Sequence, residues 1–183
     1  CGVVNHTFYP VAGVVLVDAG LSLAQVGVVV GTVYSIAYLA GATLSAWAVA
    51  RFGATRVLAA IAVAYVPAYL PFVGVAGTTQ ATFTAAAVAI ALPATLLAML
   101  HLVVTVCRMG WASPAQGATD FALQGTLYNM GRTVPAAVAG GIAHVYGWSN
   151  YLLGAALVGV AIIVLFGVYT WRRGRVSAAA PTT

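Results

Sequence analysis

Charged residues are the scarcest feature of this sequence. Its 183 residues include 7 Lys and Arg together and only 2 Asp and Glu, so charged side chains make up 5% of the chain. Soluble domains carry about 25% charged residues. A chain with so few charged side chains cannot cover a water-exposed surface of this size with them. Hydrophobic residues make up 63% of the chain. These proportions exclude an ordinary water-soluble domain and indicate that most of the surface contacts lipid.

The sequence also lacks the motifs of the common enzyme classes. It contains no HExxH zinc motif, no Cys/His cluster with metal-ligand spacing, no GxSxG nucleophile elbow and no Walker A phosphate loop. Its two acids, Asp18 and Asp120, lie near predicted membrane faces, which leaves little for acid–base chemistry. We therefore expect no enzymatic activity, no metal and no cofactor. Cys1 and Cys107 are not expected to form a disulfide.

Long apolar runs rich in Ala, Leu, Val and Gly dominate what the sequence does contain. Backbone groups in hydrocarbon must be hydrogen-bonded internally, and runs of this length favour helices over the alternating strands of a barrel. The sequence predicts an all-α membrane protein, a bundle of six transmembrane helices spanning residues 1–175, with a disordered cytoplasmic tail over 176–183. The first helix is expected to lack its beginning. The first predicted span ends near residue 17. The other five cover 24–49, 57–77, 81–106, 119–145 and 151–171.

The positive charges predict how the bundle is oriented. The net charge of +5 comes entirely from arginine. Six of the seven arginines fall on one side if the helices alternate in direction, and short cytoplasmic loops carry the excess of positive residues. This pattern predicts a multi-pass protein of the cell membrane (the inner or plasma membrane) with a cytoplasmic C-terminus, and we expect no nucleic-acid partner. The six are Arg51, Arg56, Arg108, Arg172, Arg173 and Arg175.

Polar side chains concentrate in the second, fourth and fifth spans, whereas the third and sixth carry few. Because polar side chains avoid hydrocarbon, these three helices are expected to line an interior or a water-filled cavity. In the fifth span, one face carries polar side chains at positions i, i+4 and i+8. The candidate pathway residues are Gln124, Tyr128, Asn129, Arg132, Tyr34, Tyr38 and His101, with His6 and Tyr9 from the first span.

Arg132 is the most informative of these residues, because it lies near the middle of the predicted fifth span. Arginine stays protonated, and a cation at the bilayer centre costs at least about 2.5–3.5 kcal/mol. Neither acid of the chain is expected at this depth. The compensating partner is therefore an anionic group of a substrate, an acid on a separate half of the protein, or water and carbonyls in a cavity. A purely structural network is the alternative.

The remaining candidates each have a structural and a functional interpretation. His101 is either a satisfied interior histidine or a proton-coupling group, since histidine titrates near neutral pH. Tyr34 and Tyr38 share a face and serve either aromatic packing or substrate contact. Asp120 either caps the fifth helix or pairs with Arg108, and a gating contact is the functional alternative. Gly27 and Gly31 form a GxxxG pattern that predicts a close approach of two helices.

Several stretches of the chain resemble the major facilitator superfamily of transporters. The loop over 46–56 is similar to that family's G-x-x-x-D-R-x-G-x-R loop: Arg51, Gly53 and Arg56 match, whereas Ala46 and Ala50 replace the glycine and the acid. Residues 8–22 resemble the end of the family's seventh helix. Residues 118–124, followed by 140 and 146–148, resemble the eleventh helix of the branch that contains muropeptide permeases and siderophore importers.

This resemblance implies the C-terminal half, helices seven to twelve, of an alternating-access transporter with a midplane site. It also implies proton-driven transport, and a partner that is either an N-terminal six-helix half or a second copy. The leading hypothesis is a symporter that imports a polar or anionic small solute, such as a muropeptide or a siderophore. In that case, Arg51, Arg56, Arg108 and Asp120 belong to the gating loops. Two alternatives are a drug or metabolite efflux permease of the same fold and a non-transporting membrane scaffold of half length.

Overall fold

The computed structural model describes residues 9–113 and 115–179, without the side chains of 132, 134–136 and 173–179. Within this part, the chain is helical and has no strand. Seven α-helical segments and one π-helical segment follow one another with short connectors. They are α1 (Tyr9–Asp18), α2 (Leu23–Gly27), π1 (Val28–Val33), α3 (Tyr34–Phe52), α4 (Ala54–Ala76), α5 (Phe83–Trp111), α6 (Gly117–Tyr146) and α7 (Trp148–Ala179).

The expected all-α membrane fold is confirmed, but the count of six spans is not. Four helical stretches among the described residues are long and apolar enough to cross a bilayer: Leu23–Phe52, Ala54–Ala76, Phe83–Trp111 and Trp148–Arg172. The first of these is α2, π1 and α3 joined without a break. α1 is a shorter apolar helix of 10 residues, and α6 contributes the apolar stretch Ala137–Tyr146. Most of the polar residues of α6, from Thr119 to Thr133, lie before that stretch.

Two predicted loops are shorter than the sequence suggested. Gly53, at φ 81°, alone separates α3 from α4, so Arg51 lies in the last turn of one helix and Arg56 in the first turn of the next. α5 runs to Trp111, five residues beyond the predicted end, which places Arg108 inside a helix. Composition locates the apolar segment, whereas the helix itself continues as far as its backbone hydrogen bonds do. At the C-terminus, α7 extends into the predicted tail, and residues 180–183 lie outside the described part.

The predicted outer end of the bundle is tied together by the segment that follows α1. The carboxylate of Asp18 accepts a hydrogen bond from the Trp148 indole N–H at 2.9 Å, which joins α1 to α7. Gly20 adopts φ 91°, a conformation that favours glycine. Ser22 caps α2 in a capping box with Gln25. Three residues of the stretch that resembles a seventh-helix end thus have structural roles here.

The core lies where α4 and α5 pack against each other and against α7 and α3. Tyr65, Tyr69 and Phe72 of α4 are fully buried, and the hydroxyl of Tyr65 donates to that of Tyr69 at 3.0 Å. A side chain at Gly159 of α7 would meet the Tyr65 ring, since an added Cβ would lie 2.7 Å from its Cε1 atom. The two tyrosines are the polar residues of the third predicted span, and they belong to the interior rather than to a lipid-facing surface.

The tightest helix crossing joins α3 to α5 at Gly41. A Cβ added there would overlap the carbonyl oxygen of Thr95. Two side-chain hydrogen bonds flank the crossing: Ser45 Oγ donates to the Met99 carbonyl at 3.0 Å, and Thr95 Oγ1 donates to the Ala37 carbonyl at 3.3 Å. Small residues and hydroxyl groups are the usual means of close helix packing in membranes.

The GxxxG pattern does not mark this crossing. Within the described residues, no neighbouring atom lies within 4 Å of a Cβ built at Gly27 or Gly31. The predicted close approach of two helices at these glycines therefore has no counterpart among the described residues. The pattern specifies small residues one turn apart, but the rotation of the helix determines which small residues meet a neighbour, and here that residue is Gly41.

Replacing Gly41 by alanine is expected to lower the stability of the bundle by about 1–3 kcal/mol, because the new methyl group overpacks a backbone contact. The apparent melting temperature in detergent measures the effect. Gly27→Ala is the matched control, since its methyl group enters open space within this chain. An equal loss in both variants would show that α3 and α5 do not cross at Gly41.

Candidate functional site

A hydrogen bond between α5 and α6 brings two of the candidate residues together. The Nδ1 atom of His101 lies 3.1 Å from the hydroxyl oxygen of Tyr128, and the histidine tautomer determines which atom donates. The two rings meet edge to face, with centroids 5.7 Å apart and planes at 88°. His101 is exposed from the bundle and Tyr128 is half-buried. The pair therefore lies at the edge of the bundle, between two helices that have few other contacts.

Three tyrosines extend this polar surface across α1 and α3. The ring of Tyr9 lies 4.6 Å from that of Tyr34, centroid to centroid, and Tyr34 stacks on Tyr38 at 5.7 Å. The helix of Tyr9, α1, also contacts α6, which carries Tyr128. The structure thus brings Tyr9, Tyr34, Tyr38 and Tyr128 into one neighbourhood, although they come from three predicted spans.

The π-helical segment π1 ends directly before Tyr34. A π turn inserts an extra residue into a helix and changes the direction of the side chains that follow, and such segments are frequent at functional sites. Here the hydroxyl of Ser35 donates to the carbonyl of Gly31 at 2.6 Å, across the end of the π segment. π1 therefore determines the direction in which Tyr34 and Tyr38 project relative to the residues of α2. A regular period of 3.6 residues in the sequence would not have indicated this direction.

α6 carries the predicted polar face without a break in the helix. Gln124 and Tyr128 lie four residues apart in Gly117–Tyr146, and Arg132 follows at the same spacing. The side chain of Arg132 is outside the described part of the chain, so its role stays a prediction. The Oε1 atom of Gln124 is buried and has no hydrogen-bond partner in the described structure. Asn129 is exposed on the same helix.

Arg108 lies beside these residues and contacts aromatic rings. Its guanidinium carbon is 4.7 Å from the centroid of Phe121 and 5.5 Å from that of Tyr128. One of its terminal nitrogens donates to the Phe121 carbonyl at 3.3 Å, and its Nε atom is buried without a partner among the described residues. Cation–π contacts of this kind stabilise by about 0.5–2 kcal/mol, depending on desolvation. Arg108 therefore joins the C-terminal part of α5 to the N-terminal part of α6.

Asp120, which the sequence predicts to cap α6 or to pair with Arg108, accepts a hydrogen bond from a backbone group. Its Oδ2 atom accepts a hydrogen bond from the Ser113 N–H at 2.9 Å, which ties α6 to the preceding loop. Phe121 was not among the candidate residues, although it contacts Arg108 through both its ring and its carbonyl. A usable signal was available, because Arg108 and Phe121 flank the same short connector.

The other candidates lie apart from this neighbourhood or outside the described residues. Arg51 and Arg56 are exposed on either side of Gly53. His6 lies outside the described part of the chain. Within 9–113 and 115–179, His, Cys, Asp and Glu side chains form no group of three that could hold a metal ion.

The described architecture is that of a multi-pass membrane protein whose polar side chains meet between apolar helices. A family model described as Major Facilitator Superfamily matches residues 2–182, which is nearly the whole chain. The chain belongs to this superfamily, a family of membrane transporters rather than enzymes. No curated protein and no solved structure matches it. The finer resemblance to muropeptide permeases and siderophore importers stays a prediction.

Proposed function

We propose that this chain forms the C-terminal half of a proton-coupled secondary active transporter that works by alternating access. Its solute is a polar or anionic small molecule, of the class of muropeptides or siderophores. The observation that carries the proposal is the His101–Tyr128 hydrogen bond, a polar contact on the surface of an otherwise apolar bundle. A polar pair in that position is stable only beside water, a solute or another polar surface.

The substrate site is proposed to lie along the polar face of α6. Arg132 supplies a fixed positive charge that attracts an anionic group of the solute, because its guanidinium remains protonated throughout the physiological range. Gln124, Tyr128 and Asn129 supply hydrogen bonds to the rest of the solute. The buried Oε1 atom of Gln124, which has no partner among the described residues, supports this assignment, since a buried polar atom without a partner costs about 1–3 kcal/mol unless something satisfies it.

His101 is the proposed proton-coupling group. It is a titratable side chain of the polar region, and its ordinary titration range covers physiological pH. Its hydrogen bond to Tyr128 connects any change in its protonation to the helix that carries the substrate residues. Protonation turns Nδ1 into an obligatory donor, so the hydroxyl of Tyr128 must then accept. This change in hydrogen bonding links the proton to the solute site.

A second six-helix unit is needed to complete the pathway. Tyr9, His101 and Asn129 are exposed from the bundle, and polar side chains at bilayer depth require a polar or aqueous neighbour. The proposed neighbour is an N-terminal half or a second copy, which faces α1, α3, α5 and α6 across a central cavity.

Transport assays in membrane vesicles test the proposed function. Right-side-out vesicles from producing cells, with an imposed inward proton gradient, are expected to accumulate a labelled muropeptide or a labelled ferric siderophore. Accumulation that disappears with a protonophore supports symport. Accumulation only in inverted vesicles would instead indicate efflux, and no gradient-dependent movement of either solute class in either orientation would contradict the proposal.

A further inference from the structure

We propose that the groove between α3, α4 and α5, at the end that carries Arg51 and Arg56, binds one anionic phospholipid. An acyl chain of the lipid lies in the groove, and its phosphate group contacts the two arginines. This inference concerns the outer surface of the bundle and does not depend on what the protein transports.

The groove has the shape and chemistry of an acyl-chain site. Its volume is about 320 Å³, and almost all of its lining is apolar. It extends from Phe52 back to Leu44 along α3, a distance of about 12 Å at the rise of a helix. Two small residues, Ala48 and Ala60, leave the space between α3 and α4. The lining residues are Leu44, Trp47, Ala48, Phe52, Arg56, Val57, Ala60 and Met99.

The charge at one end of the groove selects an anionic headgroup. Arg56 lines the groove, and Arg51 is exposed in the last turn of α3, one residue before Phe52. The two carboxylates of the chain are engaged elsewhere: Asp18 accepts from Trp148, and Asp120 accepts from Ser113. The family's acid in this loop is replaced by Ala50, so the loop presents two positive charges and no negative one.

Aromatic side chains mark this end as a membrane–water interface. Trp47 is 60% exposed and Phe52 is 47% exposed, and their rings meet edge to face at 5.7 Å. Tryptophan is enriched at the level of lipid headgroups. A lipid held with its phosphate on the arginines and its chain toward Leu44 would pass directly beside Trp47.

A second groove provides an internal comparison. It lies between α4 and α7, has a volume of about 230 Å³ and is also mostly apolar, and no arginine is among the described residues that line it. Ala59 lines this second groove and Ala60 lines the first, so adjacent exposed residues of one helix separate the two. Any lipid chain can occupy either groove, but Arg56 lines only the first.

Fluorescence quenching by brominated lipids tests the proposal with the full chain in phosphatidylcholine vesicles. The vesicles contain a minor fraction of either brominated phosphatidylglycerol or brominated phosphatidylcholine. The contribution of Trp47 is the difference between the parent chain and Trp47→Phe. We expect phosphatidylglycerol to quench Trp47 in preference to phosphatidylcholine. Arg56→Gln should weaken that preference about fivefold, since one arginine near an anionic lipid contributes about 1 kcal/mol.

Two matched controls separate a built site from general surface charge. Arg172→Gln removes one positive charge outside the groove and should leave the preference unchanged, whereas an equal loss in both variants would overturn the proposal. Ala60→Leu fills the groove and should reduce quenching by phosphatidylglycerol, whereas Ala59→Leu should not. Equal quenching of Trp47 by the two lipids in the parent chain would also overturn it. All these substitutions are at exposed positions, and size-exclusion profiles check that the variants remain folded.

Discussion

Arg132→Ala is expected to abolish accumulation of the solute while leaving insertion into the membrane intact. The residue lies on the same face of α6 as Gln124 and Tyr128 by helical spacing. Truncating one partner of a buried, hydrogen-bonded charge pair costs about 2–5 kcal/mol, which corresponds to roughly 30-fold to several-thousand-fold weaker binding. Uptake by whole cells or vesicles, normalised to the amount of protein in the membrane, measures the effect.

Two further variants separate charge from geometry at this position. Arg132→Lys keeps the positive charge but loses the planar guanidinium, so it should retain a small part of the activity if the solute carries a carboxylate or phosphate. Arg172→Ala removes an arginine from the end of the apolar stretch of α7 and should transport normally. Normal uptake by Arg132→Ala would refute the proposed role of this residue in solute binding.

His101→Ala is expected to eliminate proton-driven accumulation while exchange of solute between the two sides persists. The substitution removes the proposed proton-coupling group, so a proton gradient can no longer drive solute movement. Exchange requires only solute binding and the change in access, and the loss of one hydrogen bond to Tyr128 should weaken it by about fivefold. Gradient-driven uptake and counterflow, measured on the same vesicle preparation, separate the two activities.

Tyr128→Phe is the matched variant for this prediction. It removes the same hydrogen bond but keeps the imidazole of His101, so gradient-driven accumulation should be weakened rather than lost. If His101→Ala still accumulated solute against a gradient as well as the parent protein, the histidine would be a structural residue. The proton would then have to be carried by a residue of the partner unit.

The class of the fold was predictable from the sequence because lipid limits the choices. Few charges, long apolar runs and one-sided arginines allow little other than a helical bundle, and the described structure is one. The residues at which the helices begin and end were harder to predict from the sequence. Arg108 was predicted to lie in a connector because polar and turn-forming residues follow it. The backbone of α5 nevertheless remains helical up to Trp111.

Contacts between helices depend on how each helix is rotated, and the sequence says little about this. The spacing of Gln124 and Tyr128 predicts a shared face, but it does not predict that His101 lies opposite. In the same way, Gly27 and Gly31 look like a packing motif, yet Gly41 makes the close approach. Side-chain packing in the core sets these rotations, and the π turn before Tyr34 adds a local change in register.

The most direct test of the account is the accessibility of a cysteine at position 128 to a charged, membrane-impermeant thiol reagent. Tyr128→Cys, in a background without the native cysteines, should react readily and be protected by the transported solute, because the residue is proposed to line an aqueous pathway. Leu165→Cys is the reference for a lipid-facing position, since Leu165 is 69% exposed on the apolar α7. If Tyr128→Cys reacted as slowly as Leu165→Cys, the polar face of α6 would not border a transport route.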